Sequence, residues 1–112
     1  MERYAATSDH EPVYPYSVQL EAGDKVRITE KEEGGWMWCI SKDELGAWVP
    51  KKYLRRRGNE GICLSSYSSA ELSTKAGEIL SCNEELSGWL WCVNQKEEKG
   101  WVPKDKMQRL QE

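Results

Sequence analysis

The sequence predicts an all-β protein of two small five-stranded barrels in tandem, with short 3₁₀ turns. Three observations predict it: a set of blocks occurs twice in the same order, short alternating segments are punctuated by turn residues, and no segment sustains an i, i+3, i+4 apolar pattern.

The repeat is the first of these. Gly35-Trp36-Met37-Trp38-Cys39 recurs as Gly88-Trp89-Leu90-Trp91-Cys92, and Trp48-Val49-Pro50-Lys51 as Trp101-Val102-Pro103-Lys104, both at an offset of 53. Upstream, Ala22-Gly23-Asp24 matches Ala76-Gly77-Glu78 at an offset of 54. Ordered blocks at nearly constant offset mean two copies of one unit. The expected division is residues 1–55, a polar linker 56–61 carrying two glycines, and residues 62–112. Units this small bury a limited share of their surface, so the two are expected to touch within a monomer.

Within the first copy, Lys25 to Glu30 alternates charged and β-branched residues, as a half-buried strand does. Glu32-Glu33-Gly34-Gly35 is a turn cluster, Trp36 to Ile40 the next strand, and Ser41 to Gly46 a hairpin turn before Ala47-Trp48-Val49. Pro50 ends that strand because it has no N–H for the ladder, and Lys51 to Leu54 suits one 3₁₀ turn. The second copy repeats the plan: strand 78–82, turn 84–88, strand 89–93, turn 94–99, and Trp101-Val102-Pro103.

Composition excludes several functions. With 16 basic and 19 acidic residues the net charge is −3, against the basic surface that nucleic-acid binding requires. The dense cationic run Arg55-Arg56-Arg57 reads as solvated surface or as an orienting contact to acidic loops. No apolar stretch is long enough to span a membrane, and no export signal is visible, so a cytoplasmic protein is expected. The cysteines at 39, 63, 82 and 92 form no close pair, so reduced thiols and no metal site are expected. His10 is the sole histidine and has no nucleophile or orienting partner in sight. It is expected to be partly exposed, and neither catalysis nor a cofactor is expected.

These blocks resemble SH3 domains over nearly the whole chain. Val18 to Asp24 and Leu72 to Glu78 look like the block that follows the RT loop. Trp36 and Trp89 fall at the groove tryptophan, and Ala47 to Leu54 follows the Gly-Tyr-Ile-Pro-x-Asn-Tyr-Val ending. Cys39 and Cys92 fall at a small buried position, which implies structural rather than reactive thiols. The Ala-Leu-Tyr-Asp-Tyr opening is occupied by Ala6 to His10 and by Cys63 to Tyr67, so Ser8 and His10 replace both groove tyrosines in the first copy. Lys106 stands at the last groove tyrosine of the second.

The resemblance implies a protein-interaction module whose aromatic slots take a polyproline II ligand, pre-ordered and free of internal hydrogen bonds. An acidic rim would select a ligand Arg or Lys. In the first copy Trp36, Trp48, Pro50 and Tyr53, with His10, would line the slots, Tyr14 and Tyr16 could add a wall, and Asp9, Glu11, Glu32 and Glu33 would form the rim. In the second, Tyr67, Trp89, Trp101 and Pro103 would do so, beside Glu71, Glu84 and Glu85. The rings also have a structural use. Trp36 and Trp89 could cover a domain interface instead, Trp48 and Trp101 could serve either role, and Trp38 and Trp91 read as structural. The other reading is therefore a structural protein whose grooves are occluded and bind no peptide.

Overall fold

The computed structural model describes residues 2–111. In chain order the strands are β1 (Glu2–Ala6), β2 (Gln19–Leu20), β3 (Lys25–Glu33), β4 (Trp36–Ile40) and β5 (Gly46–Pro50). A 3₁₀ turn (Lys51–Tyr53) leads to β6 (Leu54–Arg57), β7 (Glu60–Cys63) and β8 (Tyr67–Ser68). Then come β9 (Ile79–Leu86), β10 (Trp89–Val93), β11 (Lys99–Pro103), a second 3₁₀ turn (Lys104–Lys106) and β12 (Met107–Arg109). They form two five-stranded antiparallel sheets, ordered β5-β4-β3-β7-β6 and β11-β10-β9-β1-β12, plus the ribbon β2-β8. The fold class is the one expected. Strands β3 and β9 run further than the sequence suggested, which shrinks their turns to Gly34-Gly35 and Ser87-Gly88. Backbone φ is positive at all four of these residues, the conformation a tight reversal needs.

The chain forms two compact units, and they do not coincide with the ranges 1–55 and 62–112. One is continuous, Tyr16–Ser69; the other is split, Met1–Pro15 with Ala70–Glu112. The reason lies in the opening strand of each repeat. β1 pairs with β9 and β12 of the second repeat, with Tyr4 opposite Leu80 and Arg109. β7 pairs with β3 and β6 of the first, with Gly61 opposite Val26 and Arg56. The repeats have exchanged their openings. Residues 56–61, expected as a linker, are the end of β6, a reversal at Gly58 (φ 64°) and the start of β7, all inside the continuous unit.

Alternation decides which side chains face inward. On β4, Met37 and Cys39 are buried while Trp36 and Trp38 stand on the other face; on β5, Ala47 and Val49 are buried while Trp48 stands outside. The continuous unit buries Val18, Leu20, Val26, Ile28 and Cys63 as well. In the split unit the core gathers Ala6, Leu72, Leu80, Cys82, Leu90, Cys92 and Val102, with Tyr4 and Met107 packed against it.

The expectation of four reduced thiols is corrected in part. Cys82 on β9 and Cys92 on β10 stand opposite each other and are joined as a disulfide. Cys39 and Cys63 are free and buried. Burial, with Cys63 beside it, pushes the Cys39 thiol up to about 12, so it is inert as a nucleophile. Among the described residues no group of three or more His, Cys, Asp or Glu could hold a metal ion.

Candidate functional site

Each unit carries one position where the 3₁₀ turn, the start of a Trp-bearing strand and an opening segment converge. In the continuous unit the Lys51 N–H donates to the Gly35 carbonyl (2.8 Å), and the Leu64 N–H to the Tyr53 carbonyl (2.8 Å). These bonds fix Tyr53 relative to Trp36 on one side and to the Cys63–Tyr67 opening on the other. Tyr53 and Tyr67 meet edge to face, centroids 5.9 Å apart at 72°. The Tyr67 hydroxyl donates to the Trp48 carbonyl (2.7 Å), so the ring is held from behind and only 6% exposed. Trp36 stands opposite Pro50, and Trp38 opposite Trp48, making an aromatic outer face on β4 and β5. Trp38 and Trp48 contact edge to face at 5.3 Å, and Lys31 Nζ lies 4.9 and 5.1 Å from their ring centres.

The split unit repeats the frame with other chemistry. The Lys104 N–H donates to the Gly88 carbonyl and the Thr7 N–H to the Lys106 carbonyl, both at 2.8 Å. Here His10 takes the place of Tyr67, and Lys106 that of Tyr53. The His10 ring meets Trp89 edge to face at 5.8 Å. Its Nε2–H donates to Glu71 Oε1 (2.9 Å), and its Nδ1 accepts from Lys106 Nζ (3.4 Å), which also donates to the Asp9 carbonyl (3.1 Å). His10 is 5% exposed, so the expectation of a partly exposed ring is overturned by this three-residue network.

The tryptophans on the outer faces also differ. Trp101 pairs edge to face with Trp91 at 5.1 Å, but it is only 5% exposed. The segment at Ala70–Leu72 runs alongside it: the Trp101 N–H donates to the Ala70 carbonyl (2.9 Å) and the Leu72 N–H to the Trp101 carbonyl (3.1 Å). Gly100 permits that approach, since a Cβ there would lie 2.7 Å from the Leu72 nitrogen. Trp101 is thus structural, whereas Trp48 is half-buried.

The strand exchange regroups the residues singled out from the sequence. Tyr67 joins Trp36, Trp48, Pro50 and Tyr53; His10 joins Trp89, Trp101 and Pro103. Pro50 is buried, while Pro103 is half-buried. Tyr14 and Tyr16 fall in different units, and the Tyr16 hydroxyl donates to the Gly46 carbonyl (2.8 Å). The acids are regrouped too. Asp9 and Glu11 lie in the split unit beside Lys75 Nζ, at 3.8 and 3.6 Å, and so not in the unit that holds Trp36. Glu32 and Glu85 are bound to Lys51 and Lys104, each at 2.9 Å. Glu33 and Glu84 are exposed on β3 and β9, opposite Trp36 and Trp91. Two residues the sequence reading passed over for the site are Lys31, capping the Trp38–Trp48 pair, and Ser69, whose hydroxyl accepts from the Val18 N–H (2.8 Å). Neither belongs to a spacing pattern that would have revealed it.

Comparison with known proteins relates the chain to SH3-containing proteins. Residues 3–57 match the variant SH3 domain family. The chain is 25% identical to mouse SH3 and PX domain-containing protein 2B over 122 aligned positions, covering 92% of this chain and 13% of that protein. It is 37% identical to human SH3 and PX domain-containing protein 2A over 80 positions, 70% of this chain and 6% of the relative. Myosin-1 of Malassezia globosa is 40% identical over 52 positions, 46% of this chain and 4% of that protein. The chain therefore spans a small fraction of the relatives it matches. The homology is to SH3-containing proteins, and it marks the chain as a protein-interaction module.

Proposed function

We propose that this chain, whose residues 3–57 match the variant SH3 domain family, binds an extended, proline-rich peptide on its continuous unit. One observation carries the reading: Tyr53 and Tyr67 pair edge to face in the unit that also holds the cross-strand pair Trp36–Pro50. Rigid rings fixed by backbone hydrogen bonds and by the Tyr67 hydroxyl are slots already formed, so a ligand loses little to reorganisation of the site. A polyproline II segment has little conformational entropy left to lose and can set its rings against these faces. Glu33, exposed opposite Trp36, supplies the rim charge for a ligand Arg or Lys; Glu32 is already engaged by Lys51.

The split unit supports the other reading, a structural unit. Its equivalent position is filled by His10, Glu71 and Lys106, polar groups that satisfy one another. Inserting proline rings there would break charge-assisted bonds without replacing them.

The test is an NMR titration of the full chain with a proline-rich, Arg-containing peptide. Amides around Trp36, Tyr53 and Tyr67 are expected to shift with one saturating curve, and those around Trp89 and Lys106 to stay in place. Absence of any shift around Trp36 at millimolar peptide would defeat the proposal.

A further inference from the structure

The exchange of β1 and β7 is written into the residues that would meet if it did not occur. By register, Arg3 and Tyr4 on β1 occupy the places that Glu60 and Gly61 occupy on β7. Tyr4 faces Leu80, as Gly61 faces Val26, and Arg3 faces Ser81, as Glu60 faces Arg27.

Charge separates the two arrangements first. Glu60 lies between Arg27 and Arg57 on the flanking strands. If β1 stayed with its own repeat, Arg3 would take that place and put a third arginine directly opposite two others. Opposite charges across strands stabilise a sheet and like charges destabilise it. Size separates them in the same sense. A Cβ at Gly61 would lie 2.9 Å from Ile28 Cδ1 and 3.3 Å from Val26 Cγ2, both on side chains buried in the core. Tyr4 does not fit that place. In the split unit the position of Ile28 is held by the smaller Cys82, and Tyr4 packs against the core there. Gly61 placed over Cys82 would leave the space of a ring unfilled.

We propose that Arg3, Tyr4, Glu60 and Gly61 dictate the exchange, so that the aromatic site is composite: it takes Tyr67 from the second repeat and Trp36, Pro50 and Tyr53 from the first. Taken singly, neither repeat contains that set. The first supplies only His10 at its opening, and the second only Lys106 at its ending. As a ligand site this rests on the proposed peptide reading; as a fold it does not.

A protease recognition sequence inserted between Gly58 and Asn59, in the exposed reversal between β6 and β7, tests it on the full chain. After cleavage, residues 1–58 still supply β1 to the split unit, and residues 59–112 still supply β7 and β8 to the continuous unit. The two fragments should co-elute at low micromolar concentration and separate only in denaturant. Fragments that come apart under native conditions, folded or not, would overturn the exchange. Two self-contained barrels that merely adhere would show themselves by NMR contacts of Ala5 with Lys25 and of Ile62 with Ile79; the exchange requires Ala5 with Ile79 and Ile62 with Lys25. Peptide titration of the same nicked protein keeps the two ideas apart. An interleaved protein that binds nothing defeats the peptide reading alone, and loss of interleaving defeats the exchange alone.

Discussion

The continuous and split units share one backbone plan, yet their equivalent sites differ in kind. Both tie the 3₁₀ turn to the glycine before a tryptophan, and both tie an opening segment to the end of that turn. In one the frame holds Tyr53 against Tyr67; in the other it holds His10 between Glu71 and Lys106. The same scaffold thus carries an aromatic slot and a filled polar position. What decides between them is two side chains per unit, and strand exchange decides which two meet.

Removing the buried ring in each unit gives the largest contrast. Tyr67→Ala deletes an aromatic side chain that is 6% exposed together with its hydrogen bond. It should cost about 3 kcal/mol of stability, in the range of large-to-small core changes. His10→Ala should cost less, about 1–3 kcal/mol, chiefly by leaving Glu71 without its donor. Chemical denaturation of the two variants measures both. Equal costs would show that the polar network is as tightly built as the ring pair.

The next effect is on binding. Trp36→Ala should weaken a proline-rich peptide by about 2 kcal/mol, roughly 30-fold, the magnitude of an interface anchor. Trp89→Ala should change affinity less than about threefold. The comparison is sharpened by building the missing site. The double variant His10→Tyr with Lys106→Tyr places two tyrosines in the split unit and should raise the calorimetric stoichiometry from one peptide to two.

Smaller effects follow from the thiols and the surface pairs. The Cys39 thiol is raised from 9.0 to about 12 by burial and by Cys63, so folding favours its protonated form. Its contribution to stability is fully present below pH 9 and is lost as pH rises from 9 toward 12, because the unfolded state then binds fewer protons. Its counterpart Cys92 is in a disulfide and contributes no such dependence. Denaturation midpoints across that window, compared with Cys39→Ala, test the sign. The Lys51–Glu32 and Lys104–Glu85 pairs are exposed and alike in both units, so alanine at either lysine should leave the melting temperature without resolvable change.

Much of this was legible in the residues. Repeated Gly-Trp and Trp-Val-Pro blocks located β4, β5, β10 and β11, and the SH3 resemblance implied that Cys39 is buried. The partner of each opening strand was not legible, because both repeats offer the same kind of edge and short-range pattern does not choose between them. The choice sits in Arg3 against Glu60 and Tyr4 against Gly61, which acquire meaning only once the register is known. Site membership followed from it: Asp9, Glu11, His10 and Tyr67 changed sides with their strands. The disulfide was hidden for a similar reason. A hairpin turning at Ser87-Gly88 would by simple register set Cys82 opposite Val93, and it is the register shift between Trp91 and Cys92 that brings Cys82 opposite Cys92. The burial of His10 depended on Glu71, 61 residues away, and no local pattern announces such a partner.

The most direct test of the central claim is the contact that Tyr67 makes in the intact, unliganded chain. NMR of selectively labelled tyrosine and lysine should show the Tyr67 ring in contact with the ring of Tyr53, and the Lys106 side chain in contact with His10. Finding Tyr67 beside Lys106, with Tyr53 beside His10, would mean that each repeat keeps its own opening strand, and would contradict the composite site.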